Sequence, residues 1–365
     1  MSDNARKVID VKNLDITFKM ATGDVHAIRG VDFQLKENEV LALVGESGCG
    51  KSITVKTIMG ILPENAVINS GEAHFIGKKE NGEEEDIDLL QKKFSWRQRN
   101  INGSRISMIF QDPMTSLNPT MTIGAQLITA IRNHEDVTKK EAYARSVELL
   151  REVGITDPER TMGQYPHQLS GGMRQRIVIA IALSCDPEVL ICDEPTTALD
   201  VTIQNRILEL IQRIQRSRGI SVIFITHNLG VVAKIADYVG VMYAGRIIEY
   251  GTVFDIFYNP RHPYTWGLLS AIPEGADEKG ELYSIPGTPP NLAKEIVGDA
   301  FAPRNPYALA IDFKAEPPLF QLSKTHYVAS WLADERAPKV EMPKELAERI
   351  ERMKQEGKDY VGHKD

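Results

Sequence analysis

The chain has 365 residues, 25% of them charged, which suits an ordinary globular protein with one large domain and a smaller appendage. Its formal net charge of -7, from 50 acidic and 43 basic residues, argues against a nucleic-acid-binding surface, and no run of about 18 apolar residues could cross a membrane. The start MSDNARKVID is too polar for a signal peptide. Cys49, Cys185 and Cys192 have neither C-x-x-C spacing nor an even count, so we expect a cytosolic chain with reduced thiols, Cys185 and Cys192 serving as small buried side chains.

In chain order, VIDVKNLDITF, GVDFQLKE and EVLALV predict strands of a β-rich lobe that feeds the stretch GESGCGKS, Gly45 to Ser52. Gly45, Gly48, Gly50, Lys51 and Ser52 fit the phosphate-loop pattern G-x-x-x-x-G-K-[ST] between an apolar strand and a helix that ends at Gly60. Glycines let backbone N–H groups turn inward around phosphates, Lys51 neutralises the outer ones and Ser52 can bind Mg2+. A glycine-rich turn alone would not need Lys51 and Ser52.

Between Ser70 and Leu90, two strands joined by an acidic, solvated turn are expected. IGAQLITAI and AYARSVELLREVG space apolar residues as helices do, giving a helical insert over about 112–168. MRQRIVIAIALSC then predicts a buried helix, EVLICDEP a strand, TIQNRILELIQRIQRS an amphipathic helix and ISVIFITH a buried strand. Such alternation makes a parallel sheet covered on both faces. After Tyr258 prolines crowd the chain, marking an irregular C-terminal region, and the last residues predict a charged helix without chemistry and a frayed tail.

Two further motifs narrow the chemistry. VLICDEP ends an apolar strand at Asp193 and Glu194, which emerge at the sheet's carboxyl edge beside the phosphate loop. Asp193 suits Mg2+ coordination through water, and Glu194 suits polarising an attacking water. A GTPase would also carry an N-K-x-D-type motif, and none is found. In LSGGMRQR, Ser170, Gly171 and Gly172 open a long helix and expose a second anion-binding terminus. Either this is only a capped helix start, or it caps the γ-phosphate held by a partner's phosphate loop in a head-to-tail dimer.

GESGCGKS, FQDP, LSGGMRQR, LICDEPTTALD and FITH, in this order, resemble the ATP-binding subunit of an ABC transporter over roughly residues 7–257. The resemblance implies an α/β fold, a P-loop NTPase of ABC type with an antiparallel β lobe, a helical subdomain and an irregular C-terminal domain. It implies ATP and Mg2+ as ligands, the whole loop from Gly45 through Glu46, Ser47, Gly48, Cys49, Gly50, Lys51 and Ser52 to Ile53 around the phosphates, and Ser52, Gln111 and Asp193 around the metal. Gln111 would touch Mg2+ or the attacking water and move with a membrane partner. Asp200 would communicate across the dimer, His227 would contact the γ-phosphate, and Phe18 would stack on adenine. Ile53 departs from the family's usual Thr, which removes one hydroxyl from the α-phosphate.

QDPMTSLNP, VMYAGRIIEYG, NPRHPYTWGLLSAIP and IPGTPPNL further resemble the oligopeptide and dipeptide permease branch, specifically the D-type ATPase of an oligopeptide importer, out to about Leu332. The domains implied are 7–257 for nucleotide binding, 258–335 for the C-terminal transporter-type region and 336–365 for a charged tail. The implied partners are a second, homologous ATPase, two transmembrane permease subunits and an extracellular peptide-binding protein, with the chain peripheral on the cytoplasmic side of the membrane. Alternatives are a dipeptide or nickel importer with the same motor, or a soluble non-transport ABC ATPase. Many members carry four C-terminal cysteines suited to an iron-sulfur cluster. Here Asp299, Asn305, Asp312 and Ser330 fall in that frame, so no cluster is expected, since clusters want thiolates.

Overall fold

The computed structural model describes residues 5–79, 82–197, 200–272 and 285–355. Strands β1 (Lys7–Phe18) and β2 (Val25–Lys36) run antiparallel and precede β3 (Val40–Val44), whose five residues are all buried. Helix α1 (Lys51–Met59) follows, and β4 (Ala66–Lys78) and β5 (Glu84–Asp88) return to complete an antiparallel sheet in the order β2-β1-β4-β5. β4 begins at Ala66 rather than near Ser70, because Phe18, Thr17 and Ile16 of β1 give its first residues backbone partners.

Beyond α2 (Phe94–Asn100) and β6 (Ile106–Ile109) come the helices of the insert: α3 (Pro113–Ser116), α4 (Ile123–His134), α5 (Lys139–Glu152) and α6 (Pro158–Met162). Their starts are written locally. Thr122 caps α4, Thr138 and Glu141 form a capping box on α5, and Asp157 caps α6.

Helix α7 (Gly171–Ala182), strand β7 (Val189–Asp193), helix α8 (Val201–Arg218), strand β8 (Ser221–Thr226), helix α9 (Leu229–Ile235) and strand β9 (Tyr238–Tyr243) continue the alternation. β9, β3, β8, β7 and β6 lie side by side and parallel; β7 and β8 are buried at every position, as a strand covered on both faces must be. β10 (Arg246–Thr252) adds antiparallel to β9.

The proline-rich region is more ordered than its composition predicts. α10 (Val253–Tyr258) and α11 (Pro263–Ser270) are helices, the second starting where Pro263 occupies the first turn and His262 accepts the Tyr264 N–H. Two-residue strands β11 (Phe320–Gln321) and β12 (Tyr327–Val328) extend the central sheet, β12 pairing with β10. α12 (Lys344–Gln355) buries Leu346 and Ile350 in the same apolar cluster as Phe257 and Leu269. Its charged face is solvated, as the sequence predicts, yet the helix is also docked: Arg349 donates to the carbonyls of Leu269 and Ile272 at 3.2 and 3.0 Å.

The core has three parts. One lies between the central sheet and the helical insert, one between the two sheets, and a third joins Val44, Tyr243, Tyr264 and Phe301 with α12. The three cysteines are free; Cys49 and Cys192 are buried as small hydrophobes, but Cys185 is only half-buried, its Sγ near Ser184 and the Ala130 carbonyl.

Candidate functional site

β3 delivers the chain to a loop that only glycine can trace at two points. Gly45 has φ 149°, and a Cβ there would lie 2.2 Å from the Met242 carbonyl oxygen; Gly50 has φ 109°, and its Cβ would meet Ile28 Cδ1 at 2.6 Å. The loop is therefore pressed between β2 and β9. Lys51 is buried, and its Nζ donates to the carbonyls of Gly45 and Glu46 at 2.8 and 3.0 Å, which fixes a positive charge inside the loop. Cys49 lines this core side, its thiol pushed up by burial and drawn down by Lys51.

Ser52, the next residue of α1, donates its hydroxyl to Asp193 Oδ1 at 2.7 Å. Asp193 is the last residue of β7 and nearly buried. Burial raises its carboxyl pKa, and the Ser52 hydrogen bond pulls the other way. A hydroxyl and a carboxylate meeting at one point are oxygen donors of the kind Mg2+ takes.

Glu194, immediately after the strand, has φ 47°, a left-handed conformation that costs a non-glycine residue free energy and is typical of functional turns. Its N–H donates to the Ile225 carbonyl of β8 at 3.0 Å, which holds the turn. The carboxylate then collects three side chains: Gln111 Nε2 at 3.2 Å, Thr197 Oγ1 at 2.9 Å and His227 Nδ1 at 3.3 Å. Gln111 follows β6, His227 follows β8, and both are exposed. Four strand ends thus bring Lys51, Ser52, Gln111, Asp193, Glu194 and His227 to one edge of the sheet. Thr197 is not among the residues expected from the sequence. Its signal is the hydroxyl three residues after Glu194 in DEPTT.

Other expected residues stand apart. Ser170, Gly171 and Gly172 open α7, where the Ser170 hydroxyl accepts the Met173 N–H at 3.3 Å and Gly171 is exposed. Asp200 caps α8, accepting the Ile203 N–H at 2.9 Å; its neighbours Ala198 and Leu199 lie outside the described residues. Phe18 ends β1 half-buried against the core between the sheets, and Ile53 packs on the same core. Ser47 and Gly48 are exposed at the loop's crest.

The HPYT stretch acquires a physical reason. Tyr264 Oη accepts the Glu46 N–H at 2.8 Å, and Arg304, from the C-terminal region, donates to both Glu46 carboxylate oxygens at 2.6 and 2.9 Å. In the same region the four positions of the cysteine frame are buried, each accepting a backbone N–H: Asp299 from Phe301, Asn305 from Tyr307, Asp312 from Leu309 and Ser330 from Leu332. Burial, with Asp312 nearby, pushes the Asp299 carboxyl up to about 6.

Residues 28–197 match the ABC transporter family, and residues 248–311 match the oligopeptide/dipeptide transporter C-terminal region. The chain is 52% identical over 347 residues, 95% of each chain, to the oligopeptide transport ATP-binding protein AmiE of Streptococcus pneumoniae. It is 54% identical to the dipeptide transport ATP-binding protein DppD of Lactococcus lactis, covering 92% of this chain and 93% of that one. Its fold is similar to that of a dimeric ATP-binding cassette in a post-hydrolysis state bound to ADP and Pi, with TM-score 0.57, 24% identity, and coverage of 67% of this chain and 98% of the other. The chain belongs to the oligopeptide/dipeptide branch of the ABC transporter ATP-binding subunits, enzymes that hydrolyse ATP.

Proposed function

We propose that this chain hydrolyses ATP at a head-to-tail interface with a similar ATPase and so powers peptide import through two permease subunits, working as a peripheral protein on the cytoplasmic side of the membrane. Residues 7–257 would form the motor and 258–335 a transporter-type C-terminal domain. The observation that carries this reading is the split of the site: Glu194, Gln111 and His227 gather at one sheet edge with Gln111 and His227 exposed, while Ser170 and Gly171 are exposed at the start of α7, where the Ser170 hydroxyl caps the helix. A second copy of the signature segment would complete the first copy's site.

In the mechanism, the loop amides and Lys51 hold the phosphates of the substrate ATP. Ser52 and Asp193, with Gln111, would hold Mg2+, whose chemistry when bound is to neutralise and orient the phosphate oxygens. Glu194 orients the attacking water, Gln111 and Thr197 hold its carboxylate in place, and His227 stands on its other oxygen toward the γ-phosphate side. Phe18 stacks on adenine, and Asp200 signals across the dimer.

Motion would reach the permeases through the helical insert. Between α2, β6, α4 and α7 lies a groove of about 630 Å³ whose walls include Phe94, Phe110, Arg99 and His134, with Phe110 adjoining Gln111. A permease segment seated there would sense the position of Gln111. Among the described residues no helix is long and apolar enough to cross a membrane, so the translocation path would belong to the partners.

Mild-detergent purification from native membranes, with mass spectrometry of co-purifying chains, tests the proposal. Two multi-spanning permeases, a second ATPase and a peptide-binding protein are expected, whereas a soluble complex or a nickel-binding partner would overturn peptide import. We further propose that no iron-sulfur cluster is carried, supported by the use of Asp299, Asn305, Asp312 and Ser330 as backbone acceptors. Stoichiometric iron and acid-labile sulfide in anaerobically purified protein would refute it.

A further inference from the structure

Glu46 lies inside the phosphate loop, yet two of its groups are held from the C-terminal region. Its N–H donates to Tyr264 Oη at 2.8 Å, and its carboxylate receives both terminal nitrogens of Arg304 at 2.6 and 2.9 Å. The arginine is nearly buried, with 4% of its side chain exposed, and its positive charge is reinforced by Glu46. Nη1 also donates to Tyr243 Oη at 3.3 Å, and Nε to the Pro286 carbonyl at 2.8 Å, so the guanidinium is positioned from three sides. The rings of Tyr243, Tyr264 and Phe301 form a closed cluster with centroids 4.7, 5.2 and 5.4 Å apart, and Arg304 lies over Tyr243. Little in this group can shift alone.

A carboxylate in a loop meant for a triphosphate is an electrostatic liability. Unpaired, Glu46 would place negative charge beside negative charge, with the loop's backbone tied to it. A bidentate arginine removes that repulsion and fixes the loop's entry geometry together. Lys51, meanwhile, is bound to the Glu46 carbonyl, so a displaced Glu46 would also displace the lysine.

We propose that Arg304 and Tyr264 are positioning residues for the phosphate loop, through which the C-terminal region sets the affinity of this subunit for ATP. The proposal rests on the assignment of Gly45–Ile53 to the triphosphate. Neither residue touches the reacting atoms, so ground-state binding of ATP should change more than the chemical step.

The test uses the full chain and compares Arg304→Met, Arg304→Lys, Tyr264→Phe, the double variant Glu46→Gln/Arg304→Met and Lys51→Ala, measuring Mg-ATP binding, KM and kcat. Arg304→Met is expected to raise KM about 10-fold with kcat within about 2-fold of wild type, a split that general loss of folded protein would not give. Arg304→Lys should recover part of that loss, and Tyr264→Phe should raise KM about 3-fold. The double variant should bind ATP more tightly than Arg304→Met alone, because the unpaired charge is gone. An unchanged KM in Arg304→Met while Lys51→Ala abolishes binding would overturn the proposal and leave the loop assignment standing. Parallel falls in kcat and thermal midpoint that Arg304→Lys does not repair would also overturn it, reducing the arginine to packing. ATP binding retained in Lys51→Ala would remove the loop assignment and the proposal with it.

Discussion

Lys51 finds its two carbonyl partners five and six residues back in the chain, while Arg304 finds the Glu46 carboxylate across 258 positions. Both side chains put a guarded positive charge against the same loop. The first does so through local sequence, a strand, three glycines and a helix start; the second needs a tertiary frame of aromatic rings, turns and a carbonyl from Pro286 to bring it there. The contrast shows why the two halves of this site differ in legibility, and why they should fail differently when altered.

The largest effect belongs to the locally encoded half. Glu194→Gln keeps the side chain's shape and an amide oxygen for Gln111, but loses the anion proposed to polarise water. ATP hydrolysis should fall by at least about 100-fold while ATP binding persists and a closed dimer accumulates, read as phosphate release against sedimentation in ATP. Wild-type turnover would remove Glu194 from its role.

Next comes the long-range half. Phe301 is buried and packs edge-on to both Tyr243 and Tyr264. Phe301→Ala should lower unfolding stability by about 3–5 kcal/mol by urea titration. ATP affinity should weaken with it if the frame serves Arg304; a stability loss with ATP affinity unchanged would dissolve the contrast.

A smaller effect carries a pH signature. Burial raises the Asp299 carboxyl to about 6, above its unfolded value near 4, so its contribution to stability is full below about pH 4 and is lost as pH rises through about 6. Asp299→Asn keeps an acceptor for the Phe301 N–H and abolishes that loss. The variant should be more stable than wild type by about 1–3 kcal/mol at pH 8 and by about half as much at pH 5, compared by urea midpoints. An equal gain at both values would mean that charge is not the cause.

Ile53→Thr is expected to do least. It restores a hydroxyl at the loop's end but withdraws apolar atoms from the core between the sheets, where Ile53 packs. ATP should bind at most about 5-fold tighter by calorimetry, since one neutral hydrogen bond is worth about 1 kcal/mol net.

The same division explains what could be read from residue order. Strands β3, β7 and β8 are built on the apolar runs VLALV, VLIC and VIFI, and a parallel sheet with both faces covered needs such runs, so the sheet, the loop and the Asp193–Glu194 edge were legible. Gln111 and His227 entered the expected site only through the family resemblance, because nothing local marks a lone glutamine or histidine, and their hydrogen bonds to Glu194 appear only in the fold. The link from Tyr264 to Glu46 had no sequence signal at all: a phenol's partner is set by where α11 docks, and that depends on packing distant in the chain. β11 and β12 were invisible for a related reason. Two residues carry no period, and they are strands only because β10 offers them partners.

That last pairing has a consequence for handling the motor as a separate piece. β12 covers the free side of β10 at Glu249 and Tyr250, and Ala329 adds a bond to the Ile248 carbonyl at 2.7 Å. Cut away the C-terminal region, and unpaired amides and carbonyls along β10, then the edge of the central sheet, would lie open as a template for another chain. A shortened motor would then be sticky as well as altered in its handling of ATP, with self-association growing with protein concentration.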